Sequence, residues 1–233
     1  MSLWQSIADH LRAEIARGIW PPGTKLPTEA ELAQRFGVNR HTLRHATRVL
    51  ADEGLLYSRR GAGVFVAATP VDYALGDRVR FHRNIELAGK VPGHRLDAVM
   101  TRPADAGEAA GLGLQRGDLV HVAEGVSTVD HKPVALFRTA FPAGLLPDLP
   151  AALRQKGSVT AALAACGIAD YRRISTRVTA RIADAAQAAK LQMDAGEALL
   201  RVEAISEHDG RPIERGLTWW VAERVTLTLP HPG

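Results

Sequence analysis

Cysteine, aromatic residues and long apolar runs are all scarce in this 233-residue chain. Cys166 is the single cysteine, so no disulfide can form within the chain, which fits a reducing compartment. Aromatic residues make up 5% of the sequence, and no stretch approaches the roughly 20 apolar residues that a membrane-spanning helix needs. The opening residues, MSLWQSIADHLRAEI, lack the basic and apolar regions of a secretory signal. We therefore expect a cytoplasmic protein that does not associate with membranes.

Sequence motifs for catalysis, cofactors and metals are also missing. There is no Walker A sequence and no G-x-S-x-G elbow. Gly61 and Gly63 begin a G-x-G, but no third glycine follows and the next segment has the pattern of a strand, which argues against dinucleotide binding. His41 and His45 have metal-ligand spacing, yet three neighbouring arginines would repel a cation. We predict no cofactor, no metal and no enzymatic activity.

Positive charge is concentrated near the start of the chain. The net charge is +4, and residues 1–66 carry nine basic against six acidic side chains, whereas residues 67–233 carry 20 against 19. Six of those nine basic residues fall between Arg35 and Arg60. This distribution favours a polyanionic partner for the N-terminal region.

The densest cluster of positive charge is GVNRHTLRHATRVLADEG, residues 37–54. On a helix with about 100° per residue, an apolar stripe that includes Ala46 and Leu50 lies opposite four basic side chains, those of His41, Arg44, His45 and Arg48. Asn39 is suited to cap the start of this helix, and Gly54 to end it. Such a face is often only solvated, so the surrounding segments decide its meaning.

The surrounding segments predict a winged helix-turn-helix. IADHLRAEIARG has the pattern of a first amphipathic helix, and PTEAELAQRF that of a second, with Thr28 and Glu31 in capping-box spacing. Three residues, 37–39, then lead into the basic helix, which is helix-turn-helix spacing. LLYSRRGAGVFVA follows as two short strands joined by a basic turn, 59–63. This arrangement places the basic helix in the major groove of duplex DNA and the wing tip in an adjacent groove.

An internal repeat predicts the architecture of the second domain. We place the first domain at residues 1–68, a linker without periodicity at 69–77, and the second domain at 78–233. Residues 102–139 align without gaps on 181–218, with thirteen of 38 positions identical. Each repeat has the pattern of an Ala-rich helix followed by two strands. We predict a mixed, mostly antiparallel α+β domain with pseudo-twofold character and a ligand cleft between the related halves.

The segments LPTEAELAQRFGVNRHTLRHATRVLADEGLLYSRRGAGVFV and YRRISTRVTARIADA resemble the HutC branch of the GntR family of bacterial transcriptional regulators. Within that branch, VNRHTLR and RRISTRVTAR are most similar to regulators of phosphonate-use genes. The resemblance implies a homodimeric repressor that binds double-stranded operator DNA with inverted half-sites. It also implies a C-terminal effector-binding domain of the UTRA, chorismate-lyase-like type.

The resemblance implies which side chains contact DNA. Thr28 and the start of the basic helix correspond to phosphate-contacting and groove-reading positions, and the wing tip enters the minor groove. Arg48, one turn further along the helix, is either a phosphate contact or solvated. The candidate DNA-binding residues are Thr28, Asn39, Arg40, His41, Thr42, Arg44, Arg48, Arg60 and Gly61.

For the effector, the resemblance implies a small anion such as a phosphonate or a phosphate-bearing metabolite. It implicates Ser158, Thr160, Glu214 and Trp220, although Ser158 can equally be a plain N-cap. The strand EGVST, 124–128, lacks the arginines of sugar-phosphate sensors, so we expect the charge to come from Arg80, His82, Arg83 or Arg138. Two alternatives remain open, namely a repressor of the same branch that senses a sugar phosphate or a urocanate-like metabolite, and a chorismate-lyase-like enzyme.

Overall fold

The computed structural model describes residues 2–59, 61–67, 70–78 and 80–229, and the chain divides into two compact units, residues 1–69 and 70–233. The N-terminal unit contains three helices and an antiparallel hairpin. These elements are α1 (Leu3–Ala16), α2 (Glu29–Phe36), α3 (Arg40–Asp52), β1 (Leu56–Arg59) and β2 (Gly63–Val66). The predicted winged helix-turn-helix is confirmed.

Local capping interactions set the bounds of α2 and α3. The Thr28 side chain accepts a hydrogen bond from the Glu31 N–H, and the Glu31 carboxylate accepts one from the Thr28 N–H at 2.7 Å, which confirms the capping box. Gly37 ends α2 in the left-handed conformation, with φ of 65°, where a side chain would be strained. The Asn39 carboxamide caps α3 by accepting a hydrogen bond from the Thr42 N–H at 2.8 Å.

The core of the N-terminal unit is mainly apolar but includes a charged residue. Leu11, Leu32 and Leu43 come from the three helices and are almost fully buried. Glu14 on α1 is also buried, and its carboxylate accepts hydrogen bonds from Arg35 on α2 and from Trp20 Nε1 at 2.8 Å. The hydrogen bonds from Arg35, helped by Trp20, outweigh burial and lower the pKa of Glu14 to about 2. This carboxylate therefore ties α1 to α2.

The C-terminal unit is built on a six-stranded sheet in which all neighbouring strands are antiparallel, in the order β4-β5-β6-β9-β8-β7. These strands are β4 (Pro92–Pro103), β5 (Leu119–Val129), β6 (Lys132–Pro142), β7 (Arg172–Ile182), β8 (Ala198–His208) and β9 (Arg211–Val221). The helices of the unit are α4 (Phe81–Leu87), α5 (Ala106–Leu112), α6 (Leu149–Lys156), α7 (Val159–Ala165) and α8 (Ala185–Leu191). A separate parallel pair joins β3 (Val71–Ala74) to β10 (Val225–Thr228), so the unit has the predicted mixed, mostly antiparallel α+β architecture.

The two sequence repeats fold alike. An offset of 79 residues carries α5, β5 and β6 onto α8, β8 and β9 with both ends of every element matching. β6 and β9 lie side by side at the centre of the sheet, so the repeats are related by a pseudo-twofold axis between them. The likeness extends back to β4 and β7, which pair with β5 and β8 at equivalent positions.

The segment 69–77, expected to be an irregular linker, contains a strand. β3 pairs with β10, a partner about 150 residues away in the sequence. Tyr73 is the buried residue of β3, and its ring lies 4.5 Å from that of Trp220, centroid to centroid. A strand of four residues is too short to show a clear alternation, and its partner is too distant to be recognised from local pattern.

Candidate functional site

The basic face of α3 points away from the core. The basic side chains of this helix are all exposed, while Leu43, Ala46 and Leu50 are buried on the other side. The exposed basic side chains at the candidate positions are Arg40, His41, Arg44 and Arg48. A row of basic side chains of this kind can contact phosphates and reach base edges.

The helical projection placed His45 on the basic face, but its ring contacts α1. Its ring lies 4.4 Å from that of Trp4 on α1, in an edge-on arrangement. The residue is exposed, but this contact turns it toward the first helix.

Two of the candidate DNA-binding residues also act as helix caps. Thr28 Oγ1 accepts a hydrogen bond from the Glu31 N–H at 3.3 Å, and Asn39 Oδ1 accepts bonds from the N–H and hydroxyl of Thr42. The hydrogen bonds from Thr28 also hold the pKa of Glu31 below its usual value. These side chains therefore order the helix starts, whatever further contacts they make.

Arg44 has an acidic partner that the sequence did not reveal. Its Nη2 donates to Glu29 Oε2 at 2.7 Å, and its Nε donates to Glu29 Oε1 at 3.1 Å. This hydrogen-bonded pair lowers the pKa of Glu29 and raises that of Arg44. Glu29 is the first residue of α2, fifteen positions before Arg44, and the helix-turn-helix fold alone brings the two together.

The wing carries a stacked aromatic pair beneath an arginine. The rings of Tyr57 on β1 and Phe65 on β2 are 5.6 Å apart, and the Arg59 guanidinium lies over both, at 5.6 and 5.5 Å from their centroids. Gly61 has a φ of 76°, which suits a tight turn. The candidate residue Arg60 lies outside the described residues.

The C-terminal unit contains a polar cavity of about 110 Å³ that lies across the two repeats. Six of the predicted effector residues line it, and they come from the segment after β3, from α4, α7 and β9. These six are Arg80, His82, Ser158, Thr160, Glu214 and Trp220.

Two predicted effector residues do not line the cavity. Arg83 is exposed on α4. Arg138 lies on β6 between Phe137 and Thr139, which both line the cavity, so strand alternation turns it to the opposite face of the sheet. There its Nε lies 3.3 Å from Glu124 Oε1. Neither arginine supplies charge to the cavity, which corrects the sequence-based expectation.

The remaining cavity residues were missed because sheet register assembles them. Among them are pairs related by the 79-residue offset, in which one member comes from each repeat. These pairs are His94 and Arg173, Ser127 and Ser206, and Thr139 and Thr218. The serine and threonine pairs are identical in the aligned repeats, a signal that could have identified them.

Arg80 is held firmly at the cavity wall. Its Nη2 donates to the Tyr171 carbonyl oxygen at 2.9 Å, and its guanidinium lies over the Tyr171 ring at 3.6 Å from the centroid. Asp170 lies 3.9 Å from the same Nη2 and also binds Arg78. The Arg78 hydrogen bonds lower the pKa of Asp170 to about 2, so this supporting carboxylate is ionised.

Burial controls the protonation of the other cavity groups. It raises the pKa of Glu214, although the Ser206 hydroxyl and the nearby cations of Arg173 and Arg80 oppose that shift. It lowers the pKa of His94 to about 4, so this ring is neutral at physiological pH. Ser158 Oγ accepts a long hydrogen bond from the Ala161 N–H at 3.5 Å, so this residue caps α7 and lines the cavity as well.

The two units together define a winged-helix DNA-binding protein with a ligand-binding module, and comparisons with known proteins agree. Residues 3–66 match the bacterial regulatory proteins of the gntR family, and residues 87–226 match the UTRA domain. The chain belongs to the GntR family and is a transcriptional regulator of the GntR/HutC type, not an enzyme.

Similar proteins span nearly the whole chain. An uncharacterized HTH-type transcriptional regulator of Rhizobium meliloti and the probable transcriptional regulator PhnF of Escherichia coli are each 33% identical over 98% of this chain and 95% of their own. The crystal structure of PhnF from Mycobacterium smegmatis superposes with a TM-score of 0.66 at 28% identity, covering 95% of this chain and 99% of that one. Throughout the part of the chain that the structure describes, no helix is long and apolar enough to cross a membrane.

Proposed function

We propose that this chain is a homodimeric repressor that binds duplex operator DNA and releases it when a small phosphonate or phosphate-bearing effector fills the cavity. The observation that carries the DNA-binding part is the exposed basic face of α3, which follows a capped helix at helix-turn-helix spacing. Arg40, His41 and Arg44 read the major groove, and Arg48 contacts the phosphate backbone. Thr28 and Asn39 add backbone contacts from their capping positions, beside Thr42.

A homodimer follows from the demands of sequence recognition. One winged helix reads only a few base pairs, and two copies related by a twofold axis read inverted half-sites separated by about one helical turn. The wing of each copy, with Gly61 at its turn and the predicted contact Arg60, reaches the adjacent minor groove. Sedimentation of the protein, alone and with an inverted-repeat duplex, tests this stoichiometry, and one protomer on each duplex would contradict it.

The resemblance to regulators of phosphonate-use genes favours the effector class, and the cavity supports it with hydroxyl groups and cations. For a ligand to weaken DNA binding tenfold, its free energies of binding to the two states must differ by about 1.4 kcal/mol. Because coupling is reciprocal, operator DNA must weaken ligand binding by the same factor.

Calorimetric titration tests this coupling directly. Methylphosphonate and inorganic phosphate are titrated into the free protein and into the protein bound to DNA from upstream of its own gene. We expect about tenfold weaker binding of the active compound in the second titration. Equal affinities would rule that compound out as an inducer, and failure to prefer any DNA from that region over random DNA would refute the regulator itself.

A further inference from the structure

The cavity is nearly symmetric in its hydroxyl groups but not in its charge. Ser127 and Ser206 occupy equivalent positions in the two repeats, and their strand neighbours in the sheet are His94 and Arg173, which the 79-residue offset also relates. One end of the cavity is therefore marked by an imidazole and the other by a guanidinium.

The imidazole end is neutral and occupied by protein contacts. His94 Nδ1 lies 3.2 Å from Ser127 Oγ, within hydrogen-bond distance. The rings of Phe81 and Phe137 lie 4.5 and 5.2 Å from the His94 ring. Since burial among these rings keeps His94 uncharged, this end offers an anion little attraction.

The guanidinium end is charged and has unused hydrogen-bond donors. Among the described residues, Nε and Nη1 of Arg173 are buried atoms without a hydrogen-bond acceptor, although Arg173 lines the cavity. Its backbone N–H donates to the Asp77 carbonyl oxygen at 2.6 Å, which fixes the position of the residue. Buried donors on a permanent cation are costly unless an acceptor meets them.

The size of the cavity limits what that acceptor can be. Pockets for drug-sized ligands measure about 300–1,000 Å³, whereas this cavity measures about 110 Å³. It therefore fits a ligand with few non-hydrogen atoms, and a sugar phosphate would need the cavity to expand.

We propose that Arg173 binds the anionic group of the effector, and that the effector is a compact tetrahedral oxyanion seated at the Arg173 end of the cavity. This inference rests on the proposed function. Ser206 and Glu214 lie at the same end, and Arg80 adds a second positive charge from the wall. When neutral, the Glu214 carboxyl group donates a hydrogen bond to the oxyanion.

The test compares Arg173 variants with a matched surface control in the full-length protein. Arg173→Leu removes the charge, Arg173→His copies the other repeat, and Arg173→Lys keeps the charge with altered geometry. Arg177→Leu is the control, because Arg177 lies on the same strand but is exposed. Each protein is titrated calorimetrically with inorganic phosphate, methylphosphonate and glucose 6-phosphate at constant ionic strength, with the thermal unfolding midpoint as a check on folding.

We expect the wild type and Arg177→Leu to bind phosphate or methylphosphonate equally well, and the relative affinities of these two probes identify the source of the oxyanion. Arg173→Leu and Arg173→His should weaken binding about tenfold to a hundredfold, since hydrogen bonds to a charged group are lost. Arg173→Lys should recover part of the affinity. That recovery distinguishes an anion ligand from a residue that only packs.

Three results would overturn the inference. They are unchanged affinity in folded Arg173→Leu, tighter binding of glucose 6-phosphate than of either compact anion, and no binding of any probe by wild-type protein.

Operator DNA binding, measured in parallel, separates the two proposals. Specific DNA binding without anion binding would support the proposed regulator and refute the anion site. Anion binding that depends on Arg173, without specific DNA binding, would support the anion site and refute the proposed regulator.

Discussion

The two units differ in where they place the arginines that we propose bind their partners: at the surface in the N-terminal unit and in an interior cavity in the C-terminal unit. In the N-terminal unit, Arg44 and Arg48 are exposed on α3, whereas the acidic residue Glu14 is buried and bonded to Arg35. In the C-terminal unit, Arg173 lines an interior cavity with buried donors left over. A polyanion as large as DNA can be met only from outside, whereas a small anion can be enclosed. The location of the cations thus matches the size of the partner proposed for each unit.

The largest expected effect is a loss of stability, and it tests whether the buried charge of Glu14 stabilises the N-terminal unit. Glu14→Gln should lower the free energy of unfolding of that unit by about 3 kcal/mol, the equivalent of lowering the Glu14 pKa from 4.5 to about 2. Because the folded-state pKa is the lower one, this stabilisation is complete above pH 4.5 and is lost as the pH falls toward 2. Urea unfolding of the full chain, with amide hydrogen exchange monitored in α1 and α2, measures both.

Glu53→Gln is the matched control for this change. Glu53 pairs with Arg12 at the surface, with a distance of 2.7 Å between Oε1 and Nη2. An exposed pair of this kind contributes less than about 1 kcal/mol. Equal losses in the two variants would show that burial of Glu14 confers no special stability and would weaken the contrast between the units.

The fold of the N-terminal unit could be predicted because its signals are local. Thr28 and Glu31, three positions apart, cap the start of α2. Gly37 and Asn39, two positions apart, end α2 and begin α3. The sheet of the C-terminal unit could be predicted from the 79-residue repeat, although no single strand identifies its neighbours. Capping residues and an internal repeat can both be recognised in the amino-acid sequence without a structure.

The cavity could be predicted only in part, because its residues meet through long-range register. Arg138 and Phe137 are adjacent in sequence but lie on opposite faces of β6, so charge alone selected the wrong arginine. Arg173 belongs to a segment recognised for its resemblance, yet its place opposite Ser206 depends on the pairing of β7 with β8. The pairing of Arg44 with Glu29 has the same origin.

A second prediction asks whether the exposed cations of α3 play different roles. Arg44→Ala should reduce the discrimination between operator and random DNA by about 1–3 kcal/mol, because a contact to a base edge is lost. Arg48→Ala should weaken both DNAs alike and reduce the salt dependence by about one phosphate contact. Fluorescence anisotropy titrations with both duplexes at several salt concentrations measure these quantities. If Arg44→Ala also weakened both duplexes equally, Arg44 would be a backbone contact.

The smallest expected effect concerns the pair that Arg44 makes in the absence of DNA. To reach a base, the guanidinium must leave Glu29, to which it donates two hydrogen bonds. The pair lies at the surface, where ion pairs contribute little, so breaking it costs little. Glu29→Gln removes that cost and should tighten operator binding by up to about fivefold.

Glu53→Gln removes an equal negative charge from the same unit without touching Arg44, so it controls for the general electrostatic gain. Weaker binding by Glu29→Gln, with Glu53→Gln unchanged, would show instead that Glu29 holds Arg44 in the orientation that reads DNA, and the acidic partner would then belong to the recognition surface itself.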